Sequence, residues 1–402
     1  MTPIWACGLE CGGTAYSGEG HWDTPSGSSI DTVTVRSGLR SLRANPTAGQ
    51  GWALTAALTG SLRWVGRIYI RFTTLPDADT ILVWLAGTAP NSPCVFFKVS
   101  DSKIYAAIAN NGAVAALGAP GATVTTGIWY RVDFDFNINT AGADFCDVQV
   151  DGTALGQATG TGLSITPSNA FFGAYGDQPD PTVTADVYFD DIILSNTAAD
   201  YPIGAGHILS YIPNADGTHN IAGANDFERT LTGTDITNAT TDAWTLIDER
   251  PLPTTAVDFI NGIAPPNATD YVEWQYEDSV EADAPRAVFA LFICHDAGGA
   301  GSNNTTVTLR EHGGGTTANI FTGTANNGAT LTSHRAIFAT VPGTADAWTT
   351  TEFNALRSRF LVADASPDPY IDAIMLEAEF PDAVAAAANP PYRNPMVHLL
   401  PQ

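Results

Sequence analysis

The stretch "GIWYRVDFDFNINTAGADFCDVQVDGTALG", residues 127–156, alternates polar and apolar residues in two runs, with a loop between them and Asp-Gly close behind. Successive side chains of a strand point to opposite faces. Trp129, Arg131, Asp133 and Asp135 therefore share one face, and Tyr130, Val132, Phe134 and Phe136 share the other. The second set is the expected core face. After the loop "NINTAGAD", Phe145, Asp147 and Gln149 stand opposite Cys146, Val148 and Val150. Asp151-Gly152 supplies the positive-φ turn that reverses the chain. The stretch reads as an antiparallel hairpin in a half-buried sheet.

The same period recurs upstream. "VTVRSGLRSLRA" alternates and breaks at Gly38, and "RWVGRIYIRFTTL" sets Val65, Ile68, Ile70 and Phe72 largely against Arg67, Tyr69 and Arg71. "TILVWLAG", "CVFFKVS" and "KIYAAIAN" follow at intervals of about ten residues, each bounded by turn residues. Strands so spaced, with no helix between, predict a sandwich or barrel. The whole chain has 402 residues, long enough for two cores, with 44% hydrophobic and only 15% charged residues, as expected of a folded protein. Its formal charge is −25, a surface that repels nucleic acid and anionic membranes.

The order "GIWYRVDFDFN", "DVQVDGT", "AFFGAYG" and "DVYFDDIILSN" resembles the laminin-G-like, concanavalin-A-like jelly roll. With "GLECG" near the start, the resemblance implies one such domain over residues 1–203, made of two antiparallel sheets whose concave face often binds sugars. Gly204, Gly206 and Pro213 then punctuate a linker-like passage. Strand-like runs resume at "DYVEWQYED", "RAVFALFICHD", "NTTVTLREHG", "RAIFATV" and "YIDAIMLEAEF". "TTTEFNALRSRFLV" carries capping-box spacing at Thr349 and Glu352, with Phe353, Leu356 and Phe360 on one helical face, which predicts a helix over 352–360. The expected fold is all-β: two antiparallel β-sandwich domains in tandem, 1–203 and 204–381, one short helix, and an extended arm over 382–402.

The order of "DAWTLIDERPLPTTAVDFI", "TDYVEWQYED", "DAWTTTEFNALRSRF" and "DAIMLEAEF" is similar to that of tailed-phage and prophage structural proteins. That resemblance implies a virion protein exposed on tail, baseplate or capsid, with other virion proteins, copies of itself and a host-surface glycan as partners. The start "MTPIWACGLECGG" lacks a basic n-region and a long apolar h-region, so no Sec export is expected and the place of action is the virion. No apolar run reaches the ~20 residues of a membrane span. In the arm, "NPPYRNPMVHLLPQ" is too rich in proline for a helix and too apolar for a solvated tail. Tyr392, Arg393, Met396 and Leu399 are its expected contacts with a neighbouring subunit. A bacterial carbohydrate-binding or adhesive protein outside any virion is the alternative, with a glycoside hydrolase as the third reading.

Catalytic signals are sparse. Glucanases of the concanavalin-like type carry E-x-D-x-E or E-x-D-x-x-E on one strand, and no such pattern occurs. The histidines form no H-x-H or HExxH pair. "CHD" at 294–296 places thiol and imidazole on opposite faces of a strand, where they cannot act together. Five scattered cysteines lack zinc-like spacing, and acidic turns such as "DADT" match no defined calcium loop. The expectation is a protein that is not an enzyme and carries no cofactor or catalytic metal. Trp52, Trp84, Tyr175 and Trp274 are the candidates for sugar stacking, each also placed to be core.

Overall fold

The computed structural model describes residues 1–9, 17–18, 22–85, 92–121, 123–138, 143–161, 166–223, 226–229, 233–250, 252–253, 258–263, 269–296, 304–311, 317–323, 331–364 and 368–382. Tyr392, Arg393, Met396 and Leu399 lie outside these. Among the described residues the strands form four sheets of nine, seven, eight and five strands, and every pairing but one is antiparallel. The nine- and seven-stranded sheets are built between Pro3 and Ser195, and the eight- and five-stranded sheets mainly between Gly206 and Pro381. The exception is Ser17–Gly18, which pairs parallel with Thr332–Phe338 on the eight-stranded sheet. No helix among the described residues is long and apolar enough to cross a membrane.

The opening hairpin folds as its pattern dictates. Trp129–Asn137 pairs with Ala143–Val150, and the following turn, back into Thr153–Ala154, is made by Asp151 at φ 51° and Gly152 at φ 81°. Tyr130, Val132, Phe134 and Phe136 enter the core between the nine- and seven-stranded sheets, where the rings of Phe134 and Phe136 stack at 4.5 Å. The opposite face is not solvated, however. Asp133 and Asp135 are buried, Asp133 accepting from Arg131 Nε at 2.8 Å and from the Gly204 amide at 2.9 Å.

That face is covered by the eight-stranded sheet. Ala6, Val65, Ile193, Ile208, Ala287 and Phe289 form an apolar cluster between the two sandwiches, so the four sheets stack as layers. Within this seam Arg67 is completely buried, its Nη1 2.6 Å from Glu379, which Arg286 Nε also reaches at 2.7 Å. Arg36 lies 3.4 Å over the Tyr69 ring and bonds Asp191 and Asp382, both at 2.5 Å. His207 stands 2.8 Å from Asp382. Burial opposes the charged form of His207, but the Asp382 hydrogen bond, then the charges of Asp191 and Glu281, outweigh it and raise its pKa.

Three segments depart from the pattern expected of the sequence. In the Arg63–Thr74 strand the core face is Trp64, Ile68, Ile70 and Phe72, and Val65 belongs to the seam. Gly66 hides that parity because it contributes no side chain: a Cβ there would lie 2.1 Å from Phe134 Cζ. The run over 33–44 is a strand only at Ser41–Ala44, and its earlier part is the loop that delivers Arg36 to the seam. The helix is Thr350–Asn354, not 352–360. Both capping-box hydrogen bonds between Thr349 and Glu352 form, yet Leu356–Asp364 is a strand. There Leu356, Ser358, Phe360 and Val362 are buried and alternate with half-buried Arg357, Arg359 and Leu361. Period two prevails because it fills the second core, whereas a longer helix would turn Ser358 and Val362 out of it.

Candidate functional site

The outer face of the seven-stranded sheet carries an unusual concentration of rings. The sheet runs Ala113–Leu117, Lys103–Asn110, Pro93–Lys98, Thr80–Leu85, Ala170–Gly176, Gly51–Thr55, Trp22–Ser26. Its inner face gives Ala53, Val83, Val95, Phe97, Ile104 and Phe172 to the core. Alternate positions therefore point away from the core, and they collect Trp52, Trp84, Phe96, Tyr105, Phe171 and Tyr175 into a separate cluster. Four of them make a continuous ladder. Trp52 meets Phe171 edge-on at 5.3 Å, Phe171 stacks on Trp84 at 5.1 Å, and Trp84 meets Tyr175 at 5.8 Å. Trp84 is fully buried within it, Tyr175 nearly so, and Trp52 is half-buried at the end of the ladder.

Polar groups gather where the ladder leaves off. The Tyr175 hydroxyl accepts from Gln178 Nε2 at 3.3 Å. The Tyr105 hydroxyl donates to Asp101 at 2.6 Å, and its pKa is pushed up to about 12, by burial first and then by that bond. Asp177 accepts from the Val114 amide at 2.8 Å, and burial raises its carboxyl. Lys98 and Lys103 face one another on neighbouring strands, with Lys98 Nζ 5.8 Å from the Tyr105 ring centre.

Of the four stacking candidates, the fold brings Trp52, Trp84 and Tyr175 to this one face, while Trp274 is core in the second sandwich. Phe171, Phe96 and Tyr105 were missed by the sequence reading. Their signal was the alternation in "CVFFKVS", "KIYAAIAN" and "AFFGAYG", where both parities are aromatic or apolar.

A second cluster lies at the end of the eight-stranded sheet. Cys294 points into the core of the second sandwich while His295 faces away, as the strand parity required. Asp372 stands at the irregularity where Cys294 pairs with Ile371 and Ile293 with Ala373, and its Oδ2 is 2.7 Å from His295 Nδ1. Tyr370 and Phe259 wall the imidazole at ring distances of 4.4 and 5.2 Å. Nearby Glu249 is pushed up to about 8, by burial first, with the charges of Asp248, Asp258 and Asp372 adding to it. A carboxyl whose folded pKa exceeds its unfolded value stabilises the fold below the unfolded value, and this is lost as pH rises through the folded one. Wild type should therefore lose stability from pH ~4.5 to 8 on this account, by about 2 kcal/mol after discounting for partial solvation. Glu249→Gln should be flatter over that range. Equal slopes in denaturant melts of the two proteins would remove the assignment.

No family model matches this chain, and no curated protein does. Among solved structures it is similar to an endo-β-1,4-glucuronan lyase from the fungus Trichoderma reesei, at 14% identity and TM-score 0.33, over 46% of this chain and 98% of that one. It is similar to an alginate lyase, at 12% identity and TM-score 0.33, over 48% of this chain and 97% of that one. A carbohydrate binding module from Bacillus subtilis matches at 11% and TM-score 0.29, over 43% of this chain and 97% of that one. At these values the likeness assigns no activity to this chain. It does correct one expectation: with two polysaccharide lyases among these neighbours, the reading of a non-enzyme is withdrawn, since missing glycosidase carboxylates say nothing about lyase chemistry. The virion role gains no support from these matches.

Proposed function

We propose that this chain binds glycans on the outer face of its seven-stranded sheet. The observation that carries the reading is the ladder Trp52–Phe171–Trp84–Tyr175 on a face that the core does not use. Aromatic faces offer large, rigid apolar area, and the polar groups beside them give orientation. Trp52 is the ring a sugar would meet, because it is the half-buried member; Phe171, itself stacked on Trp84, abuts it edge-on from the neighbouring strand. Gln178, Tyr105 and Asp101 supply donors and acceptors at the far end.

Trp52→Ala should weaken binding to a retained polysaccharide by tenfold or more in affinity electrophoresis, a loss of about 1.4 kcal/mol or more. Its unfolding midpoint should change little, since Trp52 is outside the main core cluster. Unchanged retention across a panel of neutral and acidic polymers would refute the site. Shortening of the polymer during the same assay would add a processing activity to binding, and Glu249 and His295 would then be the groups to replace first.

A further inference from the structure

Of the 17 basic residues in this chain only two are lysines, Lys98 and Lys103. The fold sets them directly opposite one another. Lys98 pairs with Lys103 across the Pro93–Lys98 and Lys103–Asn110 strands, and directly opposed residues of an antiparallel pair project from the same face. The next pair on that face is Phe96 with Tyr105, then Cys94 with Ala107, all but the lysines belonging to the aromatic cluster. Both lysines are half-buried, and neither has an ion-pair partner among the described residues. The three carboxylates of this corner are engaged elsewhere: Asp101 Oδ2 accepts from Tyr105, Asp79 Oδ1 from the Val99 amide and Asp177 Oδ1 from the Val114 amide.

Like charges placed opposite one another in a sheet destabilise it. Here the arrangement occurs in a chain of net charge −25, where carboxylates to neutralise it are abundant. An arrangement that costs stability and is left unpaired is explained by a ligand that pairs it. The lysine pair also lies on the same face as Trp52, three strand spacings across the sheet, roughly 14 Å at about 4.8 Å per strand, and several residues further along it. A chain of several sugar rings can span that interval.

We infer that Lys98 and Lys103 form an anion subsite at the end of the aromatic face, and that the glycan bound there is an acidic polysaccharide. This rests on the glycan-binding reading above. The lysine ammoniums would pair with an acidic substituent on the polymer while Trp52 takes a ring further along. Lysine suits such a role as a compact, mobile point charge that tolerates a range of anion positions.

The test compares polygalacturonate with its carboxyl-reduced form, which removes the charge and keeps the backbone, and dextran sulfate with dextran. Each is run in affinity electrophoresis against the intact wild-type chain, Trp52→Ala, Lys98→Gln/Lys103→Gln and Lys98→Arg/Lys103→Arg. Wild type is expected to prefer at least one acidic polymer over its neutral counterpart by tenfold or more. Whichever it prefers identifies carboxylate or sulfate as the source of charge. The glutamine pair should lose that preference, and the arginine pair should retain most of it. Because relieving like-charge repulsion does not destabilise the sheet, the glutamine pair should melt no lower than wild type, which separates lost binding from lost folding. An acidic preference that survives in the glutamine pair overturns the inference. Binding that is equal for charged and neutral polymers, but abolished by Trp52→Ala, overturns it while leaving the glycan site standing. No binding to any of the four polymers by wild type overturns both.

Discussion

Truncating Phe134 to alanine is expected to cost about 3–5 kcal/mol, the range for removing a large buried ring that its surroundings cannot refill. Phe134 is fully buried, stacks on Phe136 at 4.5 Å and lies over Gly66, its cross-strand partner. The close approach makes a second expectation. Gly66→Ala would place a Cβ 2.1 Å from Phe134 Cζ, so alone it should be strongly destabilising. In the Phe134→Ala background the same substitution should cost much less, because the ring it strikes is gone. Urea unfolding of the four proteins gives the coupling directly. A loss below about 1 kcal/mol for Phe134→Ala, or additive losses in the double variant, would show that this face is not packed as described.

The seam between the sandwiches gives the second large effect. Glu379 is fully buried between Arg67 and Arg286, and Arg67 is itself completely enclosed. Glu379→Ala leaves a buried guanidinium without its partner and should cost about 3–5 kcal/mol. Arg67→Met combined with Glu379→Leu removes both charges and keeps apolar volume, so it should recover most of that loss. If Glu379→Ala alone is near neutral, solvent reaches Arg67 and the two sandwiches are not clamped by this pair.

What the sequence made legible was the structure with one dominant period. The hairpin at 127–156 could be read to the face of each residue, because Val132, Phe134 and Phe136 alternate with charged side chains and Asp151-Gly152 fits a single kind of turn. The second use of that charged face was hidden. Arg67 and Asp133 look like a solvent-facing row, and the carboxylate that buries Arg67 is 312 residues away along the chain. At 353–362 two periods were superposed: Phe353, Leu356 and Phe360 satisfy a helix, while Leu356, Ser358, Phe360 and Val362 satisfy a strand, and the demand of the second core decided between them.

The candidate site was legible in part for the same reason. Trp52, Trp84 and Tyr175 were recognisable as rings able to stack on sugars, but no local pattern told them from Trp274, which is core. Their convergence depends on the strand order, in which the Ala170–Gly176 strand inserts between Thr80–Leu85 and Gly51–Thr55. The lysine pair had a signal that went unread: the only two lysines of the chain bracket the short turn "VSDS", a spacing that places them opposite one another in a tight hairpin.

The most direct test of the glycan site is an experimental structure of this chain with an oligosaccharide of a polymer it retains. The expected result is a sugar ring against Trp52, with the chain running across the outer face of the seven-stranded sheet toward Lys98 and Lys103. An oligosaccharide bound elsewhere, on the second sandwich or at the seam, with nothing on that sheet, would contradict the account.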